Sequence, residues 1–220
     1  MAKATSKASP PPTQVEPVVY VVDDDPGVLE SLGRLFRSIG LRAELFASAD
    51  ELMSRKLPSV PSCMVVDVRL PGLGGFELHA ELIKAEIHIP VIFVTAHGDI
   101  PMSVKAMKGG AIDFLTKPFR DQDMLDAVNA AIARDRARLD ADGARLGLQK
   151  RFDSLSSRER EVMALVTAGL MNKQVAADMG LSEITVKIHR GHVMKKMEAR
   201  SLADLVRMAD LLGIKQVRPS

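Results

Sequence analysis

Strand-like and helix-like apolar patterns alternate along the first 133 residues of this chain. Strand patterns fall at Val18–Val22, Arg42–Phe46, Cys63–Val66, Val91–Thr95 and Asp113–Thr116. Between and after them, apolar positions recur at helical spacing: Val28, Leu32, Leu35, Phe36 and Ile39; Leu78, Leu82 and Ile83; Val104 and Met107; Leu125, Val128 and Ile132. Asp99 is placed to cap the third of these helices, with Pro101 in its first turn. Five βα units of this length predict an α/β domain over residues 18–133 with a doubly wound, five-stranded parallel sheet.

The pattern then changes. Residues 134–151, RDRARLDADGARLGLQKR, alternate charges with few large apolar groups and predict a solvated helical linker, broken near Gly143 or Gly147. Residues 152–220 carry no strand signal. Helical patterns over Ser157–Ala168, Asn172–Met179, Ser182–Met197 and Ser201–Leu212, punctuated by Gly169, Gly180 and Gly213, predict a second, smaller all-α domain of four helices. The polar, proline-rich residues 1–17 read as a disordered tail without an apolar signal core.

Charge separates the two halves further. Residues 18–130 carry 11 Lys/Arg against 16 Asp/Glu, and residues 131–220 carry 17 against 11. An acidic half suits a metal ion and a basic half suits a polyanion. The single cysteine, Cys63, excludes an internal disulfide. No apolar stretch approaches the roughly 20 residues a bilayer span needs. A cytoplasmic protein with no membrane partner is the expectation.

Five groups stand at the carboxyl ends of the strand patterns: Asp23-Asp24, Asp67, Thr95 and Lys117-Pro118. Such residues gather at one edge of a parallel sheet. An Asp after a strand, taken alone, is ordinarily a turn or cap residue, and a lone Lys a surface charge. Together, three carboxylates, a hydroxyl and an ammonium can hold a hard divalent cation and a phosphoryl group. Asp67 is the candidate nucleophile, forming an aspartyl phosphate. Lys117 is a point charge for phosphoryl oxygens, and Thr95 a hydrogen-bond donor to one of them.

Residues 18–135 resemble the receiver domain of bacterial response regulators through VVDDD, VVDVRLPGLGG, VTAHGD and DFLTKPF. The resemblance implies a flavodoxin-like fold. It also implies Mg²⁺ (or Mn²⁺) held by Asp23, Asp24, Asp67 and the Arg69 carbonyl, and phosphoryl transfer to Asp67 from a sensor histidine kinase. It further implies a cis peptide before Pro118 and an aromatic switch at Phe114 that follows Thr95. Phe114 has no hydroxyl, so packing would set its active position. Arg69 and His97, two residues beyond Asp67 and Thr95, are expected to flank the phosphoryl group and tune its lifetime.

In the basic half, NKQVAADMGLSEITVKIH has the spacing of a helix-turn-helix: small Ala176, Gly180 for a positive φ, Ser182 as N-cap and Val186 as buried anchor. The solvent side is expected to carry Lys187, His189, Arg190, Lys195 and Lys196. The region resembles LuxR-type DNA-binding domains, and the whole chain a NarL/FixJ-type response regulator. Implied partners are double-stranded promoter DNA, RNA polymerase and, when phosphorylated, a second copy of the chain. Expected DNA contacts are Lys187, Ile188 and Arg190 at bases, with Ser182, Thr185, His189 and Lys195 nearer phosphates. Gly191 departs from relatives that carry a longer side chain there. Val104 and Lys108 are expected at the receiver's dimer face.

Two other classes fit parts of the pattern. Asp23-Asp24-Asp25 invites a phosphatase of the haloacid dehalogenase type, but Pro26-Gly27 departs from that motif and the basic domain would have no role. A constitutive DNA binder would leave the acidic set without purpose. The chain is therefore read as a phosphorylation-switched transcription factor and not as an enzyme with independent turnover.

Overall fold

The computed structural model describes residues 15–214. The tail expected over residues 1–17 lies outside the described residues except at Val15, Glu16 and Pro17.

The first compact unit ends at Leu139. Its elements are β1 (Val18–Val22), α1 (Pro26–Ser38), β2 (Arg42–Phe46), α2 (Ala49–Met53), β3 (Ser62–Asp67), α3 (Gly75–Lys84), β4 (Val91–Thr95), α4 (Ile100–Lys108), β5 (Asp113–Thr116) and the start of α5 (Asp121–Asp153). The five strands form one parallel sheet in the order β2-β1-β3-β4-β5. Strands β1, β3 and β4 are buried along their whole length, as strands covered on both faces must be, and they are the most continuous apolar runs of the chain. The edge strands β2 and β5 are only partly buried.

Side-chain alternation sorts the core into two layers. Val18, Tyr20, Val22, Met64, Val66 and Phe93 pack with Leu52, Leu78, Leu82 and Ala106 of α2, α3 and α4. Val19, Val21, Cys63, Val65, Ile92 and Val94 pack on the other face with Leu32 and Phe36 of α1 and Met124, Val128 and Ala131 of α5. Helix α2 has only five residues, too few to show a periodic stripe; Ser48 starts it by accepting the Glu51 N–H.

The break expected near Gly143 or Gly147 does not form, because α5 runs unbroken from Asp121 to Asp153. Each glycine costs about 1 kcal/mol relative to alanine in a helix interior. The helix offsets this with acidic residues in its first turn, Lys150 and Arg151 in its last, and internal pairs such as Arg138–Asp135 and Gln149–Asp153. Nor is the segment solvated throughout. Asp135 is fully buried in the first unit and Leu148 joins the core of the second.

The second unit contains the end of α5 and α6 (Ser157–Thr167), α7 (Asn172–Met179), α8 (Glu183–Met197) and α9 (Leu202–Leu211). Polar caps set these starts: Ser156 with Glu159 in a capping box, Ser182 accepting from Thr185, and Ser201 accepting from Asp204. Val162, Val166, Val175, Ala176 and Val186 form one apolar cluster; Met163, Val193, Met197, Leu205 and Ala209 form another with Leu148 and Leu155.

Candidate functional site

The sheet register brings the acidic groups together. Asp67 is the last residue of β3 and pairs with Val94, while Thr95 pairs with Thr116 just before Lys117. Asp23 follows β1, and its N–H donates to the Phe46 carbonyl. Asp23, Asp67 and Thr95 are all buried, at 1%, 5% and 0% exposure.

Lys117 reaches between the two buried carboxylates. Its Nζ lies 2.5 Å from Asp23 Oδ2 and 3.1 Å from Asp67 Oδ1. The second oxygen of each acid accepts a backbone N–H: Asp23 Oδ1 from Asp25 at 3.0 Å and Asp67 Oδ2 from Arg69 at 3.0 Å. Thr95 Oγ1 accepts the His97 N–H at 3.3 Å. Burial pushes the Asp67 carboxyl above the ordinary range, and Lys117 limits the rise. Burial works against the Lys117 ammonium, but its contacts with Asp23 and Asp67 outweigh that and raise its pKa. The peptide before Pro118 is cis.

The remaining acid and the flanking residues sit at the rim. Asp24, Arg69 and His97 are exposed. Among the described residues, no group of three or more His, Cys, Asp or Glu side chains stands ready as a metal cage. Lys117 occupies the position between Asp23 and Asp67, and Asp24 stands beside Asp23 in sequence with its side chain at the surface. The donor chemistry still suits Mg²⁺, which keeps several waters and needs only one or two carboxylates beside a phosphate.

Phe114 is half-buried on β5 against the first core layer. Gly98, which the sequence reading passed over, fits closely between three of these residues. A Cβ there would lie 2.4 Å from Thr116 Cγ2, 3.0 Å from Phe114 Cε1 and 3.4 Å from Thr95 Cγ2. Its signal was its place in a short loop directly after a strand end. Val104 and Lys108 lie exposed on α4, beside Ile100 and Met107.

The basic helix α8 departs from the expected distribution. Gly180 ends α7 at φ +65°, and Val186 is fully buried, as the spacing required. Ser182 Oγ and Thr185 Oγ1 face each other at 2.8 Å in the cap. Lys187, Ile188 and Lys195 are exposed. Arg190 is half-buried and donates to Asn172 Oδ1 at 3.1 Å, and His189 is half-buried with a buried Nδ1 that meets no partner among the described residues. Lys196 does not belong to the free solvent side. Its Nζ donates to Glu159 Oε2 at 2.7 Å and to the Ser154 carbonyl at 3.2 Å. Glu159 is buried and also lies 3.6 Å from His192 Nδ1, so one carboxylate ties α8 to α6. The Lys196 bond is the main reason its pKa falls to about 2. Spacing alone placed Lys196 on the basic face; its buried partner lies 37 residues away.

Comparison with known proteins agrees with both halves. Residues 19–129 match the family model of the response regulator receiver domain, and residues 153–209 match that of the bacterial regulatory proteins of the luxR family. The chain is 60% identical over 197 residues to nodulation protein W of Bradyrhizobium diazoefficiens, covering 90% of this chain and 87% of that protein. It is 43% identical over 195 residues to the response regulator protein TodT of Pseudomonas putida, covering 89% and 86%. Among solved structures, the response regulator StyR is 45% identical with a TM-score of 0.83, over 89% of this chain and 98% of that one.

Proposed function

The chain belongs to the two-component response regulators of the NarL/FixJ type, and from that premise we propose that Asp67 is the phosphoacceptor through which a sensor histidine kinase controls DNA binding by helix α8. Phosphorylation-dependent transcription regulation is the activity of the family. The observation that carries the residue assignment is the ammonium of Lys117 held between two buried carboxylates, with Thr95 at the same sheet edge.

An Asp67 oxygen attacks the phosphorus of a kinase phosphohistidine, the P–N bond breaks, and the imidazole leaves with its electron pair. Lys117 then has phosphoryl oxygens to pair with in place of bare carboxylates. Asp24, Asp67 and the Arg69 carbonyl would hold Mg²⁺ (or Mn²⁺), with Asp23 joining directly or through water. The ion, when bound, neutralises charge that develops on the phosphoryl oxygens. Thr95 releases the His97 N–H and donates its hydroxyl to the phosphoryl group, and Phe114 moves into the space Thr95 leaves. Phosphate biases a two-state equilibrium of the receiver. Arg69 and His97, at the exposed rim, set how readily water reaches the acyl phosphate.

We take residues 18–133 as the receiver, 134–151 as the helical connection and 152–220 as the DNA-binding domain. The α4 face with Val104 and Lys108 serves the phosphorylated homodimer, and the dimer presents two α8 helices to promoter DNA for RNA polymerase to read out. No helix among the described residues is long and apolar enough to cross a membrane, and the site of action is taken as the cytoplasm.

The test is labelling of the full chain with a small phosphodonor and Mg²⁺. Asp67→Asn should abolish incorporation while leaving the fold intact by circular dichroism. Labelling of that variant at the parent's level would overturn the assignment.

A further inference from the structure

Helix α8 carries two large apolar side chains that no core explains. Ile184 is 74% exposed and Ile188 is 54% exposed. They lie four residues apart, so they stand side by side on one face of the helix. Neither belongs to the apolar clusters of this unit, whose α8 members are Val186, Val193 and Met197, with Met194 partly buried beside them. One turn further along the same face is Gly191, where an added Cβ would meet no atom within 4 Å. The face therefore reads isoleucine, isoleucine, bare backbone. Lys187 and Lys195 are exposed on the same helix. The surrounding half of the chain, residues 131–220, carries 17 Lys/Arg against 11 Asp/Glu.

Lysine contacts with phosphates hold a duplex without reading it. In the major groove the one apolar feature at the base edges is the C5-methyl group of thymine. The N-terminal half of a recognition helix is the part that meets base edges. Ile184 is the second residue of α8 and Ile188 the sixth. The absence of a side chain at Gly191 lets the helix surface approach the bases closely. The geometry points to Ile184 and Ile188 as specificity-determining residues that recognise 5-methylpyrimidine edges, so that the chain prefers half-sites with thymines facing this stripe. Ile184 was not among the contacts read from the sequence. Charge and hydrogen-bond counting both overlook it. The inference rests on the reading of α8 as the DNA-contacting helix and deepens it.

The experiment uses the full-length protein treated with a small phosphodonor and Mg²⁺. Bound sites are selected from a randomised duplex pool. The enriched duplex is then remade with deoxyuridine at each thymidine of the half-site in turn, which removes a methyl group and leaves the hydrogen-bond pattern unchanged. Loss of one buried methyl should weaken binding about fourfold, and loss of two about sixteenfold. In the Ile184→Ala/Ile188→Ala protein, thymine and uracil duplexes should bind equally. Both residues are exposed, so the variant keeps the core, and a circular-dichroism spectrum and melting temperature equal to the parent's serve as its folding control. Equal affinity of the parent for both duplexes overturns the inference while leaving DNA binding by α8 intact. So does a double variant that still prefers thymine. Failure of the parent to bind any duplex overturns the DNA-binding reading and this inference with it.

Discussion

Replacing Gly75 with alanine should damage the phosphoacceptor site far more than the same change one residue earlier. A Cβ on Gly75 would lie 2.3 Å from the Asp67 carbonyl oxygen and 3.1 Å from both Asp67 C and Val68 Cα. Ordinary contact begins near 3.4 Å, so the start of α3 or the end of β3 must retreat by about 1 Å. The obstacle is backbone, and it is pinned: the Val68 N–H donates to Val94 and the Gly75 N–H donates to the Val68 carbonyl. Overpacking against atoms that cannot rotate away sits at the upper end of its usual range, about 3 kcal/mol. That corresponds to a fall in Tm on the order of 10 °C. A displacement of about 1 Å at a reacting group also costs roughly 100-fold in rate. On Gly74 the new Cβ would meet Glu77 Oε2 at 2.4 Å, the free end of a flexible side chain, and Val68 O only at 3.6 Å. Gly74 already has φ −66° and ψ 164°, which alanine adopts without strain. Gly74→Ala should therefore change stability by less than about 1 kcal/mol. Calorimetry of both full-length variants, with phosphodonor labelling rates, makes the comparison. A Gly75→Ala protein as stable and as quickly labelled as the parent, or a Gly74→Ala protein equally damaged, would refute the reasoning.

Three further outcomes follow from the packing. Asp135 is fully buried and accepts from the Ser62 N–H and hydroxyl while pairing with Arg138; Asp135→Ala should destabilise the receiver by about 3–5 kcal/mol, and a urea midpoint unchanged from the parent would exclude the role. Glu159 titrates at about 2 in the folded chain against 4.5 ordinarily, because of its Lys196 hydrogen bond first and its Ser156 bonds next. A lowered folded pKa gives stability that is complete above pH 4.5 and is lost as pH falls toward 2, so the α6–α8 unit should weaken over that window. Glu159→Gln should flatten the dependence; an unaltered acid profile in a melting series would count against it. Gly191→Ala has open space within α8 and should raise stability by about 1 kcal/mol, read as a higher melting temperature, with no gain signalling that the helix is strained there.

Much of the fold was legible in the chain. Buried parallel strands must be continuously apolar, so Val18–Val22 and Val91–Thr95 carried their own boundaries. Helix starts at Asp99, Ser182 and Ser201 were visible because a cap is a local bond between a side chain and the next turn. The acidic groups were legible as a set because strand ends converge whatever the intervening sequence.

What the sequence could not decide depends on partners distant along the chain. The continuity of α5 past Gly143 and Gly147 rests on dipole-matched ends and on anchors such as Asp135 and Leu148, whose burial no local pattern announces. Lys196 and Arg190 look like solvent-side cations by spacing; Glu159 and Asn172 redirect them because a buried carboxylate or a nearby amide competes with water for an ammonium or guanidinium. The reverse holds for Ile184, apolar in sequence yet 74% exposed in the fold. At the acidic edge, residue type and order settled which groups meet. Only the tertiary structure decided that Lys117 stands between Asp23 and Asp67 while Asp24 remains at the surface, since burial of two like charges demands a cation within reach and the third carboxylate has water.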